Sequence, residues 1–205
     1  MPTRNRARRF AWIPLAAALL VAACVRPSVT PPAEVVERAR SAASYSGRLR
    51  VSLDAPDLRA RSTVLVAFER PDALRVEVPG PSGARLIAVA RDGSLIAVFP
   101  AARAVFEGEA SPAGLAQLLG VSLAPGEVMD LLVGTQPARV PAYRASWGPA
   151  LPRHVEATLP DGGRLKVAVE DAEAGRELPS AAFAPPRHDG YRPVDAAEAR
   201  QLWSR

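Results

Sequence analysis

Few side chains in this sequence could do covalent chemistry: the 205 residues include one cysteine, Cys24, and two histidines, His154 and His188. A histidine acts in catalysis or metal binding when a nucleophile, a carboxylate or further ligands stand at a suitable spacing. Neither histidine has such partners, and Glu107 and Glu109 have the pattern of solvated carboxylates. The sequence also contains no G-x-S-x-G, no H-E-x-x-H and no glycine loop that could cradle a phosphate. We therefore expect no enzyme activity, no bound metal and no cofactor.

The segment in front of Cys24 has the layout of a secretory signal. Residues 1–9 carry four arginines and no acid, and residues 10–23 form the apolar run FAWIPLAAALLVAA. A basic start followed by a short apolar stretch is typical of a signal peptide. The run is shorter than the ~20 residues that a membrane-spanning helix needs. We predict that residues 1–23 are a signal peptide that is removed from the mature protein.

The residues at the end of this segment, Val21-Ala22-Ala23-Cys24, resemble the bacterial lipobox. The resemblance implies a thioether from Cys24 to diacylglycerol, cleavage before Cys24 and acylation of the new amine, for instance with palmitate. Such acyl chains exceed the two signals that stable membrane anchoring requires. Val25, and not an aspartate, follows the cysteine, which by resemblance to enterobacterial lipoproteins favours the periplasmic face of the outer membrane. The alternative is a free thiol that happens to follow a signal peptide.

The net charge of the chain depends strongly on the signal segment. The signal takes four of the 26 Lys and Arg residues and none of the 21 Asp and Glu residues, so the mature protein is close to neutral. No basic stripe with interleaved aromatics is visible, which argues against nucleic acid as a partner. We expect residues 24–32 to form the lipidated cysteine and an extended, Pro-rich tether. Residues 33–205 are expected to form one domain, and the protein to be monomeric.

Hydrophobic periodicity predicts a helix followed by an antiparallel sheet. Residues 33–44 place apolar side chains at helical spacing, as in an amphipathic helix that lies against a core. The period then changes to two, and polar and apolar residues alternate through residues 47–55, 58–71 and 73–80. Three consecutive strands with one polar face are typical of an antiparallel meander. One face of such a sheet is exposed to water and the other packs against the core.

The next strand pair is apolar on both faces. Residues 84–100 hold two short apolar runs joined by the turn Arg91-Asp92-Gly93-Ser94, and Asp-Gly is a strong hairpin signal. A second apolar face needs a cover. We expect the cover to come from two helices, one between Ser111 and Gly120 and one between Pro125 and Gly134, because Pro marks helix starts and Gly marks helix ends.

The sum of these elements predicts an α+β fold that is mainly antiparallel β. Alternation returns after Pro137, with Tyr143, Ala145 and Trp147, and the C-terminal tail ends in a short helix with Leu202 and Trp203. We expect an unclosed half β-barrel with a lid or plug of two to three helices against its concave face. A β-sandwich would account for the strands but less well for the central helices. Trp147 and Trp203 could line a ligand site, although such aromatics more often belong to a core.

The order of these features resembles the LolB-like outer-membrane lipoproteins and the wider LolA/LolB superfamily of lipoprotein localisation factors. The resemblance covers residues 46–135 and rests on SGRLRV, LRVEVPGPSGARLIAVARDGSLIAVF and AGLAQLLGVSLAPGEVMDLLVG. The turn that often reads P-L-G in LolB proteins is Pro81-Ser82-Gly83 here. The family has an unclosed β-barrel with a helical lid over an apolar cavity, and it binds the acyl chains of lipoproteins on their way to the outer membrane.

The resemblance implies an anchored protein that takes acylated lipoproteins or lipids into a hydrophobic half-barrel and helps to localise or insert them. A periplasmic LolA-like carrier would be a partner. The acyl chains are expected to contact Leu49, Val51, Val64, Val66, Phe68, Val76, Leu86, Ala88, Leu95, Ala97, Phe99, Leu118, Leu119, Leu131 and Leu132. The residues themselves leave an alternative open, since the same apolar faces could form only a filled core. The protein would then be a non-catalytic envelope scaffold or assembly lipoprotein.

Overall fold

The computed structural model describes residues 30–204. The signal peptide and Cys24 therefore lie outside the described residues. The described part contains ten strands: β1 Ser44–Ala55, β2 Leu58–Glu69, β3 Ala73–Gly80, β4 Gly83–Arg91, β5 Ser94–Phe99, β6 Ala104–Glu109, β7 Ala142–Trp147, β8 Pro152–Thr158, β9 Arg164–Ala174 and β10 Arg192–Pro193. It also contains four α-helices: α1 Ala33–Arg40, α2 Pro112–Leu119, α3 Pro125–Leu132 and α4 Ala196–Ser204.

All ten strands belong to one open sheet. Its order is β10-β6-β5-β4-β3-β2-β1-β9-β8-β7, and every neighbouring pair is antiparallel except β10 with β6. The edge strands β10 and β7 do not pair with each other. The predicted α+β fold with an unclosed, mainly antiparallel sheet is thus confirmed. Consecutive strands pair from β1 to β6, whereas β9 returns from far along the chain to pair with β1.

Period-two alternation explains why one face of the sheet is buried. In β1 the apolar residues Leu49 and Leu53 are 1% and 4% exposed, whereas Arg48 and Arg50 on either side of Leu49 are exposed. The register pairs Leu49 with Val64 on β2, which faces the same way, because directly opposed residues share a face. The buried face is concave and forms one core with the helices.

The two central helices begin and end where the sequence signals stand. In α2 the Ser111 hydroxyl accepts a hydrogen bond from the Gly114 N–H (3.1 Å), and Gly120 after the helix has φ +73°, as capping rules require. In α3 the Glu127 carboxylate accepts from the Ala124 N–H (2.8 Å). With α4, these helices form a plug of three helices against the concave face. Helix α1 is shorter than the predicted residues 33–44, because β1 already begins at Ser44.

The second apolar face of the β4–β5 hairpin is covered by the C-terminal tail. Val89 and Val98 are 2% and 1% exposed and stand apart from the core of the concave face. A short 3-10 turn, Ser180–Phe183, packs on β3 and β4 and places the fully buried Phe183 on this side. The Arg75 guanidinium donates to the carbonyl oxygen of Ala182 (3.2 Å). The expectation that the central helices cover this face is therefore wrong, because they occupy the opposite side of the sheet.

Phe183→Ala is expected to lower the free energy of unfolding by about 3 kcal/mol, the lower end for deletion of a buried phenylalanine. The phenyl ring is the main apolar group that holds the tail on β3 and β4, so its loss should also release the tail to proteases. Urea unfolding and limited proteolysis measure the two effects. Phe183→Leu, which keeps much of the apolar volume, serves as the control. A tail that stays as protease-resistant in Phe183→Ala as in the wild type would contradict this account.

Within residues 30–204, one main core joins the sheet and the helices. Its buried members run from Tyr45 to Trp203. A chain of residues 25–205 therefore keeps every strand, every helix and all of the core described above. Among residues 30–204, no helix combines the length and apolarity needed to cross a membrane.

Candidate functional site

An apolar cavity of about 120 Å³ lies between the concave face of the sheet and the helices. Strands β1, β2, β3, β8 and β9 form its floor, and α2, α3 and Trp203 of α4 form its roof. The floor strands present small β-branched and leucine side chains, because period-two alternation directs every second residue of each strand to this side. The cavity is thus formed by strands that are far apart in the sequence and become neighbours only in the folded sheet.

The wall of the cavity contains no ionisable side chain. Its polar groups are the Ser62 hydroxyl, which donates to the carbonyl oxygen of Thr63 (3.1 Å), and the Trp203 indole N–H, which donates to the carbonyl oxygen of Leu118 (2.9 Å). Both donors are already used within the protein. A charged or strongly polar ligand group would lose its hydration here without gaining a partner. The cavity therefore suits hydrocarbon.

Part of the wall is accessible to solvent. The half-buried wall residues are Val51, Ala60, Ser62, Val76, Leu119, Val121 and Val128. They belong to the middle of β1, β2 and β3, to the end of α2 and the turn after it, and to α3. The cavity therefore opens where the α2–α3 connection passes over the centre of the sheet.

Helix α4 holds the roof in place through Arg200. Its guanidinium donates to the carbonyl oxygens of Ala116 (2.7 Å) and Gln117 (2.9 Å) near the C-terminal end of α2, where a cation is favoured by the helix dipole. It also pairs with Asp57 in the turn between β1 and β2. The hydrogen bond from Arg200 holds the pKa of the Asp57 carboxyl below its usual range. Arg200 thus connects the roof helices to the sheet.

The structure divides the fifteen residues expected to contact acyl chains into two groups. Eight line the cavity: Leu49, Val51, Val64, Val66, Val76, Leu119, Leu131 and Leu132. Seven lie in the core away from its wall: Phe68, Leu86, Ala88, Leu95, Ala97, Phe99 and Leu118. Contact of any of them with a ligand stays a prediction.

Five of the seven residues away from the wall belong to the β4–β5 hairpin: Leu86, Ala88, Leu95, Ala97 and Phe99. Helix α4 packs against β4, β5 and β6 and fills the concave face above the hairpin, where Ala199 is fully buried. Phe68 instead stacks on Tyr45, with ring centroids 5.4 Å apart. Among residues 30–204, the concave face is thus solid over β4 to β6 and hollow over its central and β8–β9 part.

Twelve wall residues were not among the fifteen expected to contact acyl chains: Leu53, Ala60, Ser62, Leu74, Val78, Leu115, Val121, Val128, Val155, Leu165, Val167 and Trp203. Most of them show apolar alternation or helical spacing in the sequence. No local signal reveals that β9 lies beside β1, however, because that pairing joins residues more than 100 positions apart. For Trp203, the aromatic type alone indicated a possible ligand site.

The two histidines lie outside this cavity. His154 is exposed on β8. His188 in the tail has its Nδ1 2.8 Å from the carbonyl oxygen of Pro186 and its Nε2 3.5 Å from the Glu107 carboxylate. Within residues 30–204, no group of three or more His, Cys, Asp or Glu side chains is placed to hold a metal ion.

Two tyrosines with raised pKa values make the stability of the fold depend on pH in the alkaline range. Burial raises the pKa of Tyr143 to about 12, and burial with the nearby Asp171 charge raises the pKa of Tyr45 further. The Tyr45 hydroxyl is buried without a hydrogen-bond partner in the described residues. Above pH 10 the unfolded chain releases these protons while the folded chain retains them, so folding stability falls as pH rises.

We therefore expect the free energy of unfolding to decline between pH 10 and pH 12 and the decline to be shallower in Tyr45→Phe/Tyr143→Phe, which lacks both phenols. Urea unfolding at a series of pH values measures it. Tyr191→Phe is the control, since this tyrosine is not buried. An equal pH dependence in the wild type and the double variant would contradict the assignment.

Comparison with known proteins finds similarity at the level of solved structures. No family model matches the chain, and no curated protein matches it. Among solved structures, the chain is similar to the crystal structure of a LolA superfamily protein from Nitrosomonas europaea. The two are 13% identical, the match covers 76% of this chain and 98% of that chain, and the TM-score is 0.40.

Proposed function

We propose that this protein binds the acyl chains of lipoproteins or lipids in its apolar cavity and serves in lipoprotein localisation, in the manner of LolB-like proteins. The observation that carries the proposal is a partly open cavity whose wall holds no ionisable side chain. A fatty acyl chain needs only apolar contact to bind. Each Å² of apolar surface removed from water contributes roughly 25 cal/mol of binding free energy. Its polar end would remain at the opening.

The size of the cavity limits what it holds in the described conformation. A volume of about 120 Å³ is of the order of the engineered 150 Å³ cavity that binds benzene. The cavity therefore admits the end of one acyl chain, and a longer chain enters as α2 and α3 move away from the sheet. Binding involves no covalent step. Transfer follows whichever protein or membrane offers the more favourable apolar surroundings.

The anchoring part of the proposal concerns residues outside the described range. Lipidation of Cys24 would hold the protein at the periplasmic face of the outer membrane and place the cavity within reach of cargo brought by a periplasmic carrier. Mass spectrometry of the protein isolated from its native membrane tests this part directly. An acylated peptide that begins at Cys24 supports it, and an unmodified thiol refutes it.

Native mass spectrometry tests the cavity. The chain of residues 25–205 is released from mild detergent and then titrated with a fluorescent fatty acid or an acylated lipoprotein. We expect one bound ligand per chain that exchanges with added competitor. A chain that remains ligand-free throughout the titration would refute acyl-chain binding.

The solid half of the concave face favours one alternative. Helix α4 fills the space above β4 to β6, and such packing also suits a non-catalytic envelope scaffold that binds protein partners without lipid. The titration separates the two functions, because only the acyl-binding protein saturates with ligand.

A further inference from the structure

The face of the sheet opposite to the cavity carries cations on two adjacent rows of cross-strand neighbours. The first row, read from β7 through β8, β9 and β1 to β2, contains Arg144, Glu156, Lys166, Ser52 and Arg61. The second row, from β8 to β2, contains Thr158, Arg164, Asp54 and Arg59. Residues directly opposite one another share a face of the sheet. We refer to the five cations Arg59, Arg61, Arg144, Arg164 and Lys166 as the basic face.

The positive charge of the basic face is local. Its two rows hold five cations and only two acids, Glu156 and Asp54. The described chain as a whole is close to neutral, because six of the 26 Lys and Arg residues and none of the 21 Asp and Glu residues lie outside residues 30–204. A near-neutral domain thus concentrates a net charge of +3 on two rows of one face.

The cations are available to a ligand. All five side chains belong to exposed residues. Arg59 pairs with Asp54 (2.8 Å) and Lys166 with Glu156 (3.2 Å), but both pairs are exposed to solvent, where an ion pair contributes little. Arg61, Arg144 and Arg164 have no acidic partner among residues 30–204. Free guanidinium groups bind phosphate through two parallel N–H donors.

We propose that the basic face binds the phosphate headgroups of an anionic lipid membrane. Its two rows contain no aromatic side chain. Protein interfaces depend on buried aromatic or apolar anchors, and single-stranded nucleic acid depends on aromatic stacking, so neither partner fits this surface. A headgroup layer needs only charge. Five strands spread the cations over roughly 19 Å, which allows several headgroups to bind at once.

This assignment also orients the cavity. Val51, Leu53 and Leu165 alternate along the same strands with residues of the two rows, and they line the cavity. The basic face and the cavity are therefore on opposite sides of a single sheet. With the basic face on a membrane, the cavity faces away from the lipid and receives cargo from solution.

Liposome flotation tests the proposal with the chain of residues 25–205, which lacks any lipid anchor. Vesicles consist of phosphatidylcholine alone or contain about one third phosphatidylglycerol. We expect the chain to bind the anionic vesicles about tenfold or more tightly than the neutral ones. Raising the salt concentration from about 0.05 M to about 0.3 M should remove most of this difference. Equal binding to both vesicles, or no binding to either, would overturn the proposal.

Two triple variants with the same change in net charge show whether the position of the cations matters. Arg61→Glu/Arg144→Glu/Arg164→Glu reverses the unpaired cations of the basic face, and Arg38→Glu/Arg91→Glu/Arg187→Glu reverses three exposed arginines on other elements. Both should remain folded, which a thermal melt of each variant checks. We expect only the first variant to lose the preference for anionic vesicles. Equal losses in both would overturn the proposal. Both vesicles offer acyl chains, so the difference in binding between them reports the headgroup charge and is independent of the cavity.

Discussion

Val51→Phe is expected to weaken fatty-acid binding about tenfold or more while the melting temperature stays the same or rises. Val51 lies in the middle of β1, half-buried in the wall of the cavity. A larger ring placed in a filled core would cost about 1–3 kcal/mol of strain, whereas a ring placed in a real cavity takes up space that a ligand would use. A fluorescence titration and a thermal melt on the same sample measure both quantities.

The control for this variant is Ile87→Phe. Ile87 is also half-buried in a strand, but it lies on β4 outside the cavity wall. The control should bind the fatty acid as the wild type does. If Val51→Phe binds equally well, the ligand does not occupy this cavity. If Val51→Phe is destabilised by several kcal/mol, the space is too small to accept the ring and the proposed site is a filled core.

Trp203→Ala is expected to lower the free energy of unfolding by about 4 kcal/mol, within the range for deletion of a buried aromatic side chain. The indole is 7% exposed, forms part of the cavity roof and donates its N–H to the Leu118 carbonyl oxygen (2.9 Å). Its removal eliminates apolar burial, leaves that carbonyl without this donor and weakens the attachment of α4 to α2. Urea unfolding measures the change.

Two further variants give this prediction its controls. Leu202→Ala changes a half-buried neighbour on the same helix and should cost clearly less. Trp203→Phe retains a ring but removes the N–H donor, so its stability should lie between those of the wild type and Trp203→Ala. A loss below about 1 kcal/mol in Trp203→Ala would mean that α4 is not part of the cooperative fold.

Local signals predicted the elements of this fold well. The alternation through residues 47–80 corresponds to β1, β2 and β3, and the Asp92-Gly93 turn joins β4 to β5. Ser111, Gly120, Pro125 and Gly134 bound the two central helices as expected. These features depend on backbone preferences and on side-chain period within a few residues. They can therefore be recognised without knowledge of the tertiary structure.

The position of the cavity was predicted only in part. From its sequence pattern, Leu95 qualifies for the cavity as well as Val66 does. In the fold, Val66 lines the cavity and Leu95 lies in the core above which α4 packs. The difference comes from a helix about 100 residues further along the chain, whose packing site has no local signature.

The sequence by itself determined the boundaries of α2 and α3 and the apolar and polar faces of β1, β2 and β3, while the signal peptide and the lipidation of Cys24 stay predictions. Only the tertiary structure decided which apolar positions enclose a cavity, which are filled by α4, and that Phe183 of the tail covers the outer face of β4. It also decided that the cations of β7, β9 and β2 form one surface. The physical reason is that alternation specifies only which side of a strand is apolar. What covers that side depends on contacts between segments far apart in the chain, which no local periodicity encodes.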